Sequence, residues 1–154
     1  MEITKVLAKH IREVFFGGNW TCSSLKEHLG GVSVEIANQK IDGLNSIATL
    51  MFHIAYYVKI QIEVLENGVL NGNDELSFQT PNFQSQEEWK NYLDSVWTNA
   101  EKYAQLVEKM PNEKLTETFV DEKYGNYLRN ILGNIEHIHY HLGQIVIIKK
   151  QINA

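Results

Sequence analysis

The sequence predicts an all-α, four-helix-bundle fold, and three observations carry that reading. Four long segments repeat apolar residues at steps of three and four, the period of one helical face. Each of these segments is bounded by residues that open or close helices, such as Ser, Asn-Gly, Gly-Gly and Pro. Only one connection, near 115–127, alternates in the manner of a strand. Four amphipathic helices of this length bury their stripes most simply against one another.

The first helix is predicted over about 2–16, with Ile3, Val6, Leu7, Ile11, Val14 and Phe15 on one stripe and Gly17-Gly18 as its stop. The long connection that follows holds two short helical turns. Ser24 with Glu27 can cap the first, which Gly30-Gly31 closes, and the second spans about 33–38. A second long helix is predicted over about 45–66, capped by Asn45 or Ser46 and ended by Asn67-Gly68. An irregular loop marked by Asn71, Gly72, Asn73, Asp74 and Pro81 leads to the third, over about 86–110. That helix opens on a capping box, Ser85 with Glu88. It carries Trp89, Tyr92, Leu93, Val96, Trp97, Ala100, Tyr103, Ala104 and Val107 inward and stops at Pro111. A small hairpin is expected before the fourth helix, over about 126–151, whose core stripe is Leu128, Ile131, Ile135, Ile138, Leu142 and Ile145. No repeat or composition break divides the chain, so residues 1–154 read as one domain.

Composition narrows the function classes. A net charge of −5 offers no broad basic footprint for phosphate backbones, which argues against nucleic acid as a partner. The single cysteine, Cys22, rules out an internal disulfide and fits a reducing, cytoplasmic setting. The amphipathic start MEITKVLAKHIREVFF is unlike a signal peptide, and the longest uncharged run, Leu44 to Val58, falls short of the ~20 residues a membrane helix needs.

The stretch EHIHYHLGQI carries His137, His139 and His141 on alternate positions of the fourth helix. At about 100° per residue His137 and His141 share a side one turn apart, while His139 swings away. A pair at this spacing is weak evidence by itself. His53 adds to it, because it sits inside NSIATLMFHIAYYVKIQIEVL, a helix apolar on nearly all sides. Burial disfavours the imidazolium, and neutral imidazole offers a divalent metal its free ring-nitrogen lone pair. Three imidazoles leave positions open for water or substrate, unlike closed structural zinc sites, and a divalent ion acidifies a water or thiol held there. The Glu136–His139 spacing matches one half of a di-iron carboxylate motif, but the second half and its supporting glutamates are missing.

With a histidine in the setting SIATLMFHIAYY and H-x-x-x-H-x-G-Q-I in the last helix, the chain resembles the DinB/YfiT-like family of four-helix-bundle metalloenzymes. The connection NWTCSSLKEHLGGVSVEIANQK resembles the family's region between helices one and two, so the likeness covers most of the chain. The resemblance implies that His53, His137 and His141 bind a divalent metal, commonly zinc or nickel. It also implies precedents in thiol transfer with bacillithiol or mycothiol and in thiol-dependent isomerisation, and a homodimer that the aromatic residues of the third helix would allow. His139 departs from the small residue frequent in relatives.

The expected function is a metal-dependent enzyme, of transferase or hydrolase type, acting on a small molecule, with a low-molecular-weight thiol as a possible cofactor. The rival is a non-catalytic, stress-related bundle that binds metal or ligand. An enzyme requires the ion at the bottom of a solvent-reachable pocket; a binding module could seal it. Tyr56 and Tyr57, one turn beyond His53, are the only candidates for a proton-transfer role, though core packing is the usual place of such aromatics. Gln144 is expected to hydrogen-bond near the site, Gly143 to permit close helix packing, and Trp20 to plug the core. His10 and His28 read as surface or helix-end residues and Cys22 as an ordinary thiol.

Overall fold

Residues 2–152 are described by a computed structural model, and among them seven α-helices form and no strand does. Four are long: α1 (Ile3–Phe16), α4 (Ile47–Asn67), α6 (Gln86–Lys109) and α7 (Tyr127–Ile152). Three are short: α2 (Leu25–Leu29), α3 (Val34–Asn38) and α5 (Asp74–Ser77). Each long helix packs against two others, α1 and α4 both lying on α6 and on α7, so the four enclose one apolar core as a helical bundle.

Local chemistry fixes the boundaries. Ser24, Ser33, Ser46 and Ser85 each accept a hydrogen bond from a backbone N–H in the first turn of the helix they precede, as N-caps do. Asn67 is followed by Gly68 at φ +69°, the left-handed conformation that ends α4. The capping box of α6 forms in part. Ser85 Oγ takes the Glu88 N–H, but Glu88 reaches back to the amide of Gln84 at 2.8 Å.

Phe15, Trp89 and Tyr103 are fully buried at the centre, with Leu50, Met51, Ile54, Ile131, Ile138 and Ile145 around them. Burying each such side chain stabilises the fold by about 1.5–3 kcal/mol relative to exposure. Polar links stitch the helices outside that core. Arg12 on α1 grips Glu101 and Glu108 on α6 at 3.0 and 2.8 Å, and Lys102 on α6 meets Glu66 on α4 at 2.8 Å.

Several expectations need correction. The inward stripe of α1 is Thr4, Leu7, Ala8, Ile11, Val14 and Phe15, while Ile3 and Val6 are 38% and 43% exposed. Asn112 causes the rotation: its Oδ1 accepts the Thr4 N–H at 3.2 Å and draws that residue inward, a cap supplied from 108 residues away. Trp20 is 98% exposed and plugs nothing. The Asn19 carboxamide closes the loop onto the backbone of Ser23 at 2.7 and 3.1 Å, while the core beside this connection is filled by Trp89, whose Nε1 donates to Val32 O at 3.1 Å.

The expected hairpin before α7 is two 3₁₀ turns, Asn112–Thr116 and Glu122–Tyr124, with a single bridge between Thr118 and Asn126. Asp121 accepts the Lys123 N–H and Gly125 turns at φ +75°, so the chain reverses too tightly to extend a ladder. Among the aromatic residues of α6, Tyr92 and Trp97 are half-buried. Trp89 and Tyr103 are fully buried, and Trp97 packs edge-on against Phe15 and Phe16. No helix among the described residues is long and apolar enough to cross a membrane.

Candidate metal centre

The site forms where α4 and α7 lie side by side. On α4, Leu50, Met51 and Ile54 are drawn into the core, and they carry the intervening His53 inward to 5% exposure. On α7 the buried stripe Ile131, Ile135, Ile138, Leu142 and Ile145 turns the neighbouring face, with His137 and His141, toward α4. The three imidazoles meet there. His137 Nε2 lies 2.9 Å from His53 Nε2 and 3.0 Å from His141 Nε2, and one ligand atom from each ring falls within 4.8 Å of the others. Tetrahedral zinc–imidazole bonds of about 2.0–2.1 Å place ligand nitrogens about 3.3 Å apart, so the two pairs that include His137 would part by a few tenths of an ångström and the wider third pair, within 4.8 Å, would close to hold such an ion.

Hydrogen bonds on the far side of two rings fix which nitrogen carries the proton. Ser77 Oγ donates its single hydrogen to Asp74 O at 2.6 Å, so it must accept from His53 Nδ1, 2.8 Å away. His53 therefore keeps its lone pair on Nε2. His141 Nδ1 lies 2.7 Å from Gln144 Oε1, an acceptor, which leaves its Nε2 lone pair free in the same way. His137 has no such anchor: its Nδ1 is buried without a partner among the described residues. The donor set fits a borderline divalent cation, with two ligands preset by hydrogen bonds and the third held by packing.

Electrostatics agree with neutral ligands. Burial, then the neighbouring His141, holds His53 below the ordinary histidine range. Burial, then His141 and His53, pushes His137 down to about 4. Phe78 stacks on the His53 ring at 4.1 Å between centroids, and the Tyr57 ring stands edge-on to His53 and His137 at 5.1 Å from each.

His53 and His137 line a cavity of about 830 Å³ that is open to solvent and also bounded by Tyr57, Gln61, Asp74, Asn134 and the first two turns of α7. Tyr57 donates to Asp74 Oδ1 at 2.6 Å, and desolvation together with that carboxylate pushes the phenol up to about 12. A phenol so committed is a wall and a clamp on Asp74 rather than a proton donor near neutral pH. Tyr56 accepts the Asn73 N–H at 2.9 Å, so both tyrosines tie the 73–77 segment to α4.

The residues expected to ligate are thus brought together, and Gln144 stands where it was expected, behind one of them. His139 is turned away: burial, then His10, holds it below the ordinary range. A Cβ on Gly143 would meet nothing within 4 Å, so that glycine is not required by close packing. His28 closes the last turn of α2 and pairs with Ser23 Oγ at 2.9 Å, and Cys22 is exposed. Sequence reasoning missed Ser77 and Asp74, whose only signal was Asn73, the cap of a helix four residues long. No family model matches the chain, and no curated protein or solved structure matches it.

Proposed function

We propose that the chain is a four-helix bundle of the DinB/YfiT-like kind in which His53, His137 and His141 hold a divalent cation, zinc or nickel, at the base of a substrate pocket. The activity that follows is that of a metal-dependent enzyme, a transferase or hydrolase acting on a small molecule. When bound, the ion supplies Lewis acidity and lowers the pKa of water or of a low-molecular-weight thiol used as co-substrate.

The observation that carries this reading is the convergence of three Nε2 atoms beside a cavity large enough for a small molecule. His53 and Ser77, and His141 and Gln144, do the orienting. Tyr57 and Asp74 shape the adjoining wall, and Phe78 covers one face of the His53 ring. A sealed ion would favour the non-catalytic rival, whereas two of the three ligands here line an open cavity.

The test begins with metal content. Purified protein offered zinc or nickel should take up one equivalent per chain, and His53→Ala, His137→Ala and His141→Ala should each lose it. The loaded protein should then accelerate either ester and amide hydrolysis or conjugation of a small thiol to an electrophile, and His137→Ala should not. A wild-type protein that stays metal-free in excess zinc and nickel removes the proposal.

A further inference from the structure

The cavity beside the histidines has one Lys or Arg among the described residues that line it, Arg129 in the first turn of α7. Its side chain is exposed, yet it is held in place. Nη1 donates to Tyr124 O at 2.9 Å, and the aliphatic stem lies against Gly125, where an added Cβ would come within 3.0 Å of Cδ. Asn126 Oδ1 accepts the Arg129 N–H at 2.9 Å and fixes where the side chain leaves the helix.

With Nη1 committed to Tyr124, the edge formed by Nε–H and Nη2–H has no partner among the described residues. That edge matches the two oxygens of a carboxylate. The chain's other arginine shows the fit: Arg12 Nε lies 3.1 Å from Glu101 Oε2 and its Nη2 lies 3.0 Å from Oε1. Arg12 finds its carboxylate within the fold, and Arg129 does not. Asp74 and Glu136 share the cavity without pairing with it, and Asp74 is engaged by Tyr57. One cation beside two carboxylates offsets a single added negative charge more readily than two, which favours a carboxylate over a phosphate monoester.

The guanidinium also stands at a useful distance. Arg129 precedes His137 by eight residues on α7, an axial rise of about 12 Å, and Leu128 and Leu132 offer apolar lining between. We infer that Arg129 anchors the carboxylate of an extended substrate whose other end reaches the histidines. The inference rests on the proposed metal centre only for where the reacting end lies.

The probes are 3-phenylpropanoate, its neutral counterpart 3-phenylpropanamide, and 2-phenylethyl phosphate. Binding is followed by ¹³C-detected NMR at the Nε of Arg129, with Arg12 Nε as internal reference, in metal-free and zinc-treated protein. The carboxylate should shift Arg129 Nε saturably, leave Arg12 unmoved, and bind about tenfold more tightly than the amide, as a charge-assisted hydrogen bond does. The phosphate should bind no more tightly than the carboxylate. Arg129→Gln should bind the carboxylate as weakly as the amide, and Arg129→Lys, which keeps the charge but loses the fork, should recover only part of the preference. Both variants should take up zinc and melt like the parent, because the side chain is exposed.

Equal affinity for carboxylate and amide, an Arg129 Nε unmoved up to about 10 mM probe, carboxylate affinity that survives Arg129→Gln, or tighter binding of the phosphate would overturn the anchor. A carboxylate held by the ion instead would leave Arg129 Nε unmoved. Zinc uptake without carboxylate preference defeats this inference alone. Carboxylate preference in a protein that takes no metal defeats the metal centre and leaves the anchor standing.

Discussion

His53 and Ser77 are 24 residues apart in the chain, and His53 Nδ1 sits 2.8 Å from Ser77 Oγ. The serine is fully buried and its own hydrogen is taken by Asp74 O, so the imidazole has no choice of tautomer there. A ligand preset in this way binds a cation without first reorienting. Ser77→Ala leaves Phe78 stacked on the ring but strips Nδ1–H of its acceptor, and metal affinity should fall about 10–100-fold. Competition with a chromophoric zinc chelator measures it. Unchanged affinity in Ser77→Ala would mean that the hydrogen bond orients nothing.

His137 and His139 offer an internal control, two residues apart on α7 but on different sides of it. His137 Nε2 lies between the other two ring nitrogens, while His139 is placed near His10. His137→Ala should abolish zinc uptake while costing the metal-free protein about 1–2 kcal/mol, since its Nε2 contacts with His53 and His141 go but its Nδ1 has no partner to lose. His139→Ala should bind zinc like the parent. Elemental analysis after gel filtration decides between them, and equal losses in the two variants would place the centre elsewhere.

Acid should destabilise the metal-free protein through the same rings. Burial holds His53 below the ordinary range and His137 at about 4, against about 6.5 when unfolded. Between those values the unfolded chain binds more protons than the folded one, so stability rises with pH there and falls as pH drops from about 6.5 toward 4. Above 6.5 both states are neutral at these positions and the effect is absent. Urea midpoints measured across that window should decline in the parent and decline less steeply in His137→Asn. Equal slopes in the two proteins would show that His137 is not buried neutral.

Much of this was legible in the chain because helices announce themselves locally. Serines 24, 33, 46 and 85 and glycine 68 act within one turn of where they stand, so the ends of α2, α3, α4 and α6 could be read from neighbours alone. The i, i+4 pair His137 and His141 was legible for the same reason, and His53 was conspicuous as a polar group in an apolar helix. Failures came where distant residues decide. Asn112 turned the stripe of α1, the Asn19 loop sent Trp20 outward, and Ser77 reached His53 from a four-residue helix too short to leave a periodic signature.

Two buried aromatics on α6 should respond to truncation with opposite signs. Trp89 and Tyr103 are both fully buried, but Trp89 Nε1 donates to Val32 O at 3.1 Å while the Tyr103 hydroxyl has no partner among the described residues. Burial alone raises the Tyr103 phenol far above its ordinary range, a sign of how dry its surroundings are. Tyr103→Phe removes a polar atom that lost its hydration and gained nothing, so stability should hold or rise by about 1 kcal/mol. Trp89→Phe instead orphans the Val32 carbonyl and leaves unfilled volume, and should cost about 2–4 kcal/mol. Urea denaturation with an unchanged slope provides the comparison. A clear loss in Tyr103→Phe would show that the hydroxyl is satisfied, by a buried water or by a rearranged neighbour, and that the centre of the bundle is wetter than its packing implies.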